Sequence, residues 1–458
     1  MEWFRHLAAQ GAMIERLSSD SRRCSPGTAF FAWRGEAADG RAHIADAIAR
    51  GASAVVWEKD SFSWKRDWAV PNVAVQNLKH AAGAMAHDFY GRPSERLWVC
   101  GVTGTNGKTS CSQWIAAALG KTGVIGTLGA GFPGELAALA NTTPDALEIH
   151  RLLKGFVDRG AERAVMEVSS HALAQGRVNG VAFDCALFTN LSHDHLDYHG
   201  TMEAYGEAKA RLFETAGLET AVVNLDDAFG RRLAERMAGR VRVIGYGFAD
   251  QPVTRVDEYL TPDLLPDTGQ LGRFNVSNAL GVLGCLIAAD VRDARALLRN
   301  LPPVPGRMQK VGDAPLVVVD YAHTPDALEK VLAALQPIAR QRGGKLVAVF
   351  GAGGDRDAAK RPVMGRVAAR LADRVLVTSD NPRSEPAEKI IAEITQGLEV
   401  DAEVDRRKAI EKAVGDAQAE DVILIAGKGH EDYQEIRGRR TPFSDAAVAR
   451  EMLARRGG

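Results

Sequence analysis

Long apolar runs and a leader-like N-terminus are both missing from this 458-residue sequence. No run of about eighteen apolar residues occurs, so no segment has the length of a membrane-spanning helix. The first residues, MEWFRHLAAQGAMIERLSSDSRR, contain no apolar core of the kind that a signal peptide needs. We therefore expect a cytoplasmic protein without a membrane partner.

Paired cysteines and an excess of one charge are missing as well. The five cysteines form no CxxC pair, which is typical of reduced thiols and disfavours a disulfide framework or a zinc site. The formal net charge is -1, from 57 Lys+Arg against 58 Asp+Glu, which disfavours a nucleic-acid partner bound through bulk charge. The cysteines are Cys24, Cys100, Cys111, Cys185 and Cys285.

The length predicts about three domains, and 46% hydrophobic residues allow several cores. Apolar strands alternate with amphipathic helices, which is typical of parallel α/β sheets. A turn at Gly91–Ser94 and the proline-rich stretch Leu301–Gly306 suggest boundaries. We predict domains at 1–95, 96–303 and 304–458: an N-terminal α/β domain, a central mostly parallel sheet like that of P-loop NTPases, and a Rossmann-like doubly wound domain. The strands predicted for the third are Leu316–Asp320, Leu346–Phe350, Val375–Thr378 and Val422–Ala426.

The segment VCGVTGTNGKTS runs from a predicted strand through glycines into a predicted helix. Glycines let backbone N–H groups converge on phosphate oxygens, a lysine reaches the β- and γ-phosphates, and a threonine hydroxyl ligates Mg²⁺. The strict GxxxxGK[ST] pattern is not met, because Val102 stands where its first glycine belongs. We nevertheless predict a site for ATP and Mg²⁺ rather than a simple glycine-rich turn. Its residues are Gly104, Thr105, Asn106, Gly107, Lys108 and Thr109.

Two polar segments follow apolar stretches further along the chain. Glu167 ends a predicted parallel strand, at the edge where ligand sites of α/β sheets gather. The run FTNLSHDHLDYHG carries His193, His195 and His199. Taken alone, a histidine-rich run suggests zinc or a polar loop, since Mg²⁺ prefers oxygen ligands.

The GTNGKTS loop resembles the phosphate loop of Mur ligases and folylpolyglutamate synthetases, which activate a carboxylate with ATP and join it to an amine. This resemblance implies catalytic roles for Lys108, Glu167, His195 and Lys209. It also implies that Thr109, Glu167 and His195 are metal ligands. Lys209, in YGEAKARLF, matches the family position of a lysine carbamylated by CO₂, whose carbamate binds a second metal. Without the resemblance, Lys209 reads as a solvated helix lysine.

The resemblance extends to the nucleotide. In LGRFNVSNALG, Asn275 and Asn278 resemble adenine-side contacts, whereas the alternative is helix N-capping. Residues of the third domain match nucleotide-facing positions, which implies closure of that domain onto the phosphate loop. These residues are Arg307, Asp320, Tyr321 and His323.

Three further segments, around DSRR, NTTPDAL and SSHAL–QGRV, resemble the branch of Mur ligases that binds a UDP-muramoyl-dipeptide. Each segment alone reads as a polar turn, but all three occur in the family order. The residues implied as contacts of this substrate are Ser21, Arg22, Asn141, Thr142, Thr143, Ser169, Gln175 and Arg177.

The segment SDNPRSEP resembles the DNPR motif of the members that add meso-diaminopimelate. An arginine there can pair in a bidentate way with the distal carboxylate that lysine lacks, although a surface turn is the alternative. We expect a monomeric ligase that adds this diamino acid in peptidoglycan precursor synthesis. The alternatives are a divergent ligase of the same family that uses L-lysine, another amine or another acceptor, and an ATP-hydrolysing regulator that joins nothing. The residues expected to bind the amino acid are Arg356, Asp380, Asn381, Arg383, Gly427 and Glu431.

Overall fold

The computed structural model describes residues 1–36, 38–248 and 255–456. Across these residues the strands form sheets of four, nine and six strands and one two-stranded hairpin. The chain therefore has the predicted three-domain α/β fold. It divides into two compact units, and the first, Met1–Leu191, Glu203–Thr261 and Gly281–Ala294, holds the four- and nine-stranded sheets. The second, Ser192–Met202, Pro262–Leu280 and Arg295–Gly458, holds the six-stranded sheet.

The N-terminal sheet is parallel, in the order β1-β2-β3-β4. Every residue of its strands β2 and β3 is buried, as expected for strands covered on both faces. The strands are β1 Arg16–Ser18, β2 Thr28–Ala32, β3 Ala54–Glu58 and β4 Asn72–Val75, and the helices are α1 Glu2–Ala9, α2 Ile44–Ala49 and α3 Leu78–Phe89.

The central sheet has the order β13-β12-β11-β10-β5-β9-β6-β7-β8. All neighbours are parallel except in the β6-β7-β8 meander at one edge. The strands are β5 Trp98–Thr103, β6 Thr122–Gly126, β7 Gly129–Phe132, β8 Glu135–Ala137, β9 Arg163–Glu167, β10 Cys185–Phe188, β11 Thr220–Asn224, β12 Arg242–Tyr246 and β13 Glu258–Leu260. The helices are α4 Lys108–Leu119, α5 Ala146–Asp158, α6 Ser170–Ala174, α7 Leu196–His199, α8 Met202–Ala210, α9 Ala228–Met237 and α10 Arg273–Ala288.

The central position of β5 explains where the site forms. β5 lies between β9 and β10, and all three strands run in the same direction. Their carboxyl ends therefore lie side by side, which is where ligands of such sheets bind. The phosphate loop follows β5, Glu167 ends β9, and Thr189 follows β10.

The C-terminal sheet has the order β14-β15-β19-β16-β17-β18, with only β14 antiparallel to its neighbour among the described strands. The strands are β14 Gln309–Asp313, β15 Leu316–Asp320, β16 Leu346–Phe350, β17 Arg374–Thr378, β18 Asp401–Glu403 and β19 Val422–Ala426, followed by the hairpin β20 Tyr433–Ile436 and β21 Arg439–Pro442. The helices are α11 Pro325–Arg342, α12 Lys360–Leu371, α13 Ala387–Ile394, α14 Arg406–Asp416 and α15 Asp445–Arg456.

Alternate residues of this sheet pack into two separate apolar cores. Val318 and Leu424 belong to one core, whereas Val317 and Ile423 belong to the other. Since neighbouring side chains of a strand point to opposite faces, both faces are covered. The prediction of a doubly wound domain is confirmed.

The predicted bounds of β15, β16 and β19 agree with the structure, and the proline-rich stretch 301–306 contains neither helix nor strand. The domain boundaries at residues 95 and 303 stay a prediction. Among the described residues, no helix is both long and apolar enough to cross a lipid bilayer.

A buried ion pair joins α14 to the start of α15. The side chains of Arg406 and Asp445 are both fully buried, and the Arg406 Nη2 atom lies 2.7 Å from Asp445 Oδ2. The same guanidinium donates to the carbonyl oxygens of Ser379 at 3.2 Å and Ala426 at 2.9 Å. Arg406 therefore ties together the segments that follow β17 and end β19.

We predict that Arg406→Met lowers the free energy of unfolding of the C-terminal domain by about 3–5 kcal/mol, because it leaves the Asp445 carboxylate buried and unpaired. Urea unfolding followed by circular dichroism measures the loss. The control is Arg407→Met, which removes the neighbouring exposed pair with Glu451 and should cost at most about 1 kcal/mol. Equal losses in the two variants would contradict the role given to the buried pair.

Candidate active site

The phosphate loop is shaped by its two glycines and braced by the segment after β10. Gly104 has a φ of 142°, and a Cβ there would lie 1.9 Å from Thr189 Oγ1. Gly107 has a φ of 88° and precedes α4. Thr189 Oγ1 donates to the Asn106 carbonyl at 2.5 Å, and the Asn106 amide donates to Asn190 Oδ1 at 3.0 Å. The conformation is one that other residues rarely adopt, so both glycines are needed.

Lys108 and Thr109 form the first turn of α4, where the helix dipole favours phosphate. The Lys108 ammonium folds back over the loop and donates to the carbonyls of Gly104 at 2.8 Å and Thr105 at 2.9 Å. The positive charge of Lys108 is thus held at the loop itself. Thr189 and Asn190 were not predicted from sequence, and their place directly after a buried strand is the signal that could have found them.

The Glu167 carboxylate is fully buried and lies beside the predicted metal-binding threonine. Thr109 Oγ1 donates to Glu167 Oε2 at 3.0 Å. Thr127 donates to the same carboxylate through its amide, at 2.8 Å, and its hydroxyl, at 2.9 Å. A Cβ at Gly126 would lie 2.3 Å from Glu167 Oε1, so glycine makes room for the carboxylate. Thr109 and Glu167 bring together hydroxyl and carboxylate oxygens, a donor set that suits Mg²⁺.

Lys209 is buried beside the phosphate loop, so its alternative interpretation as a solvated helix lysine is wrong. Its side chain is 1% exposed. Its Nζ atom donates to the Gly104 carbonyl at 2.9 Å and lies 4.3 Å from the centre of the Tyr205 ring. The resemblance therefore pointed to a residue that does reach the loop.

His195 lies in the other compact unit from Glu167 and Lys209. Its backbone has a φ of 53°, and its side chain is 44% exposed, with Nε2 3.5 Å from Asp194 Oδ2. The assignment of His195 as a metal ligand stays a prediction.

The residues predicted for the UDP-linked substrate form a chain of hydrogen bonds that starts at Glu167. Thr143 Oγ1 donates to the Glu167 carbonyl at 2.8 Å and accepts from the Ser169 amide at 3.1 Å. Arg177 Nη1 donates to the Thr143 carbonyl at 2.9 Å, and Arg177 Nε donates to Gln175 Oε1 at 2.8 Å. The structure thus links Thr143, Ser169, Gln175 and Arg177 in one network that reaches the Glu167 backbone carbonyl.

The other predicted contacts of this substrate lie in two loops. Thr142 Oγ1 is 3.1 Å from Thr127 Oγ1, and Asn141 before it is exposed. In the N-terminal domain, Ser21 is buried, whereas the Arg22 side chain is 81% exposed. Asp20 caps their turn and pairs with Arg22, which holds the pKa of the Asp20 carboxyl below its ordinary value.

In the second unit, Asn275 and Asn278 lie inside α10, which begins at Arg273, so N-capping does not explain them. Both are buried, and Asn275 Nδ2 donates to the Leu271 carbonyl at 2.9 Å. Their contact with adenine stays a prediction.

The segment after β15 packs against Arg307, which precedes β14. The Arg307 guanidinium lies 4.5 Å from the centre of the Tyr321 ring, and the ring centres of Tyr321 and His323 are 4.6 Å apart. Burial lowers the pKa of His323 and raises that of Asp320. The Asp320 carboxylate accepts from the amides of Met308 at 2.7 Å and Ala322 at 2.8 Å, so it supports the loop around this group.

The predicted amino-acid pocket is built from the loops after β17 and β19. Asn381 Nδ2 donates to Glu431 Oε2 at 2.7 Å. Lys428, which is fully buried, donates to Asn381 Oδ1 at 3.0 Å and to Glu431 Oε2 at 3.1 Å. A Cβ at Gly427 would lie 2.4 Å from Asp380 Oδ2, which requires glycine. Lys428 was not predicted from sequence, although it stands directly beside Gly427.

Arg383 and Arg356 flank the same glycine. A Cβ at Gly353 would lie 2.9 Å from Arg383 Nη1 and 3.8 Å from Arg356 Cγ. Arg383 has a φ of 52°, and its Nη1 donates to the Gly354 carbonyl at 2.7 Å. The two arginines give this end of the pocket a positive charge.

The buried Arg361 of α12 holds the segment after β17 in place. Arg361 donates to Glu385 at 2.7 and 3.0 Å, to Glu393 at 2.6 Å, and to the Gly353 carbonyl at 3.2 Å. The pairing with Arg361 lowers the pKa of Glu385 to about 2. Arg361 thereby fastens the DNPRSEP segment to the segment that carries Arg356.

Comparisons with known proteins agree over the length of the chain. Three family models match it: "Mur ligase family, catalytic domain" at 13–90, "Mur ligase middle domain" at 102–286 and "Mur ligase, glutamate ligase domain" at 306–429. A UDP-N-acetylmuramoyl-L-alanyl-D-glutamate--2,6-diaminopimelate ligase from Chromobacterium violaceum is 48% identical over 99% of this chain and 97% of its own length. A protein of the same name from Nitrosomonas europaea is 46% identical over 96% and 93%.

Solved structures show the same similarity. One of a ligase with that name matches with a TM-score of 0.65 and 36% identity, over 97% of this chain and 96% of its own. A folylpolyglutamate synthase from Mycobacterium tuberculosis, complexed with ADP and AMPPCP, matches with a TM-score of 0.59. Its identity is 19%, over 81% of this chain and 94% of its own, so this match concerns the fold alone.

We predict that Glu167→Gln weakens the binding of ATP in the presence of Mg²⁺ by on the order of tenfold or more, because the amide keeps the size but loses the charge of a metal ligand. Calorimetric titration with ATP, with and without Mg²⁺, measures this. The control is Glu162→Gln, an exposed glutamate directly before β9. An equal loss without Mg²⁺ would mean that the substitution damages the loop rather than the metal site.

Proposed function

We propose a function for this chain from one premise: the chain belongs to the Mur ligase family. It is an ATP-dependent amide-bond ligase. The reaction we propose joins meso-diaminopimelate to UDP-N-acetylmuramoyl-L-alanyl-D-glutamate, a step of peptidoglycan precursor synthesis. What supports this choice of amine is the Asn381–Lys428–Glu431 cluster together with Arg383, since Arg383 Nη1 and the Asn381 carbonyl would lie 2.9 and 3.8 Å from a Cβ at Gly353.

The first step activates a carboxylate of the D-glutamyl residue. A carboxylate oxygen attacks the γ-phosphorus of ATP, and the bond from that phosphorus to the β-phosphate oxygen breaks. The products are ADP and an acyl phosphate. Lys108 and the backbone amides of the phosphate loop offset the negative charge of the transferred group. Thr109 and Glu167 would hold Mg²⁺, which would supply further positive charge to the phosphate oxygens.

The second step forms the amide. The neutral amine of the diamino acid attacks the acyl carbon, phosphate leaves, and the amine nitrogen loses a proton. In our proposal Glu431 and Asn381 orient the ammonium end that does not react, while Arg383 binds the distal carboxylate. Thr143, Ser169, Gln175 and Arg177 hold the UDP-linked substrate beside Glu167.

The same pocket gives a physical reason for rejecting lysine. Lysine has no distal carboxylate, so it would leave Arg383 without the ion pair that we propose for diaminopimelate. A site built to bind a charged group discriminates strongly against an analogue that lacks it. A regulator that only hydrolyses ATP needs no such pocket.

We predict that ADP release, in the presence of ATP, Mg²⁺ and the UDP-linked dipeptide, depends on meso-diaminopimelate and is negligible with L-lysine. Arg383→Lys should lower kcat/KM for diaminopimelate by on the order of 100-fold, because an ammonium cannot pair in a bidentate way with a carboxylate. The control is Arg437→Lys, an exposed arginine whose amide donates to the Arg383 carbonyl.

Each other outcome of this assay has a definite meaning. Turnover with lysine alone would keep the ligase and reject the proposed amine. ADP release that needs neither substrate would favour the hydrolysing regulator. An unchanged kcat/KM in Arg383→Lys would remove that residue from amine recognition.

Lys209 is proposed to carry a carbamate, formed when its neutral Nζ attacks CO₂ and loses a proton. What supports this is its burial beside the phosphate loop, where its Nζ atom reaches the Gly104 carbonyl. The resulting anion would hold a second Mg²⁺ near the acyl phosphate.

We predict a carbamate signal in the ¹³C NMR spectrum of the protein after incubation with ¹³C-bicarbonate. Lys209→Arg should lose both this signal and turnover, because a guanidinium does not form the carbamate. The control is Lys121→Arg, an exposed lysine that should leave both unchanged. A signal that persists in Lys209→Arg would place the modification elsewhere.

Lys428 is proposed to act as a positioning residue for the amine. We predict that Lys428→Met raises the KM for diaminopimelate by on the order of tenfold and leaves the KM for ATP unchanged, because Asn381 and Glu431 lose the cation that they share. Lys428→Arg should restore part of the loss, and exposed Lys412→Met is the control. A loss of kcat alone, with both KM values unchanged, would contradict this role.

A further inference from the structure

Three of the five cysteines meet in the interior of the first unit, and none of them has a role in the reaction proposed above. Cys100 on β5 and Cys185 on β10 are register partners in neighbouring strands. Cys285 comes from α10, and all three side chains are fully buried. The sequence spacing gave no sign of this cluster, because the fold alone brings distant positions together.

Glycines on α10 allow Cys285 to reach the sheet. A Cβ at Gly284 would lie 2.6 Å from Val222 Cγ1, and one at Gly281 would lie 3.0 Å from Leu187 Cδ1. The helix therefore approaches β10 and β11 more closely than larger residues would permit. This approach brings the Cys285 sulfur into contact with both strand cysteines.

The spacing of the sulfurs matches that of a three-coordinate metal site. Cys285 Sγ lies 3.9 Å from Cys100 Sγ and 4.0 Å from Cys185 Sγ, and all three sulfurs lie within 4.8 Å of one another. An ion with metal–sulfur bonds of about 2.3 Å in a trigonal plane holds its sulfurs about 4.0 Å apart, the bond length multiplied by the square root of three. The cluster would need little rearrangement to accept such an ion.

Hydrogen bonds between the sulfurs centre on Cys285. The thiols of Cys100 and Cys185 each donate to the Cys285 sulfur, so the three side chains already converge on one another. Because a thiolate is the form that binds metals, an entering ion replaces thiol protons of this group.

We propose that Cys100, Cys185 and Cys285 form a binding site for a soft monovalent cation, with Cu(I) as the matching ion. Thiolates select soft cations, and Zn²⁺ prefers four ligands, whereas this group among the described residues offers three. Binding forms copper–sulfur bonds and releases thiol protons, and neither copper nor sulfur changes oxidation state.

The test is an anaerobic titration of the full-length protein with Cu(I), in competition with the chromophoric chelator bicinchoninate. Wild type should retain one equivalent of Cu(I), and X-ray absorption should show three sulfur ligands at about 2.3 Å. Cys100→Ala and Cys285→Ala should each weaken binding by about 100-fold or more. Cys111→Ala, which removes a buried cysteine outside the cluster, should bind as wild type does.

Circular dichroism and ADP release verify that each variant is folded. The proposal is overturned if the variant lacking all three cysteines binds Cu(I) as tightly as wild type. It is also overturned if folded wild type fails to compete with the chelator. Loss of free thiols without retained copper would mean disulfide formation instead of a metal site, and would overturn it as well.

Discussion

The site in the first unit depends on the hydrogen bonds that the buried carboxylate of Glu167 accepts. An unpaired charge in a protein interior is very costly, so this carboxylate requires the hydrogen bonds from Thr109 and from the amide and hydroxyl of Thr127. These bonds join the helix after the phosphate loop to the end of β6. The backbone carbonyl of Glu167 extends the network to Thr143 and the substrate segment. One residue thus links the phosphate loop's helix to the segment that we propose for the acceptor substrate.

The amino-acid pocket relies on buried cations instead. Lys428 lies between Asn381 and Glu431, Arg361 fastens the loop after β17, and Arg406 joins that loop to the end of β19. Loops carry backbone groups that no sheet satisfies, and a guanidinium or ammonium can donate to several of them at once. The pocket that we propose for an ammonium and a carboxylate gains fixed geometry in this way.

Much of this arrangement could be predicted, for identifiable reasons. Apolar runs such as those of β15, β16 and β19 gave correct strand bounds because strands buried on both faces read as continuous hydrophobic segments. The supports of the site could not be predicted in the same way. Thr127, Thr189 and Lys428 are common residue types with no motif of their own, and Lys209 reads as a surface lysine until its 1% exposure is known.

The sequence by itself determined the fold class, the phosphate loop and the family, because these rest on local patterns: buried strands, a glycine-rich turn and motifs in a fixed order. Only the tertiary structure decided which polar groups meet. The hydrogen-bond partners of the Glu167 carboxylate come from α4 and the segment that follows β6, and the cysteine cluster comes from β5, β10 and α10. Parallel strands place residues that are distant in sequence side by side, so such contacts depend on strand order and helix approach, which local periodicity does not encode.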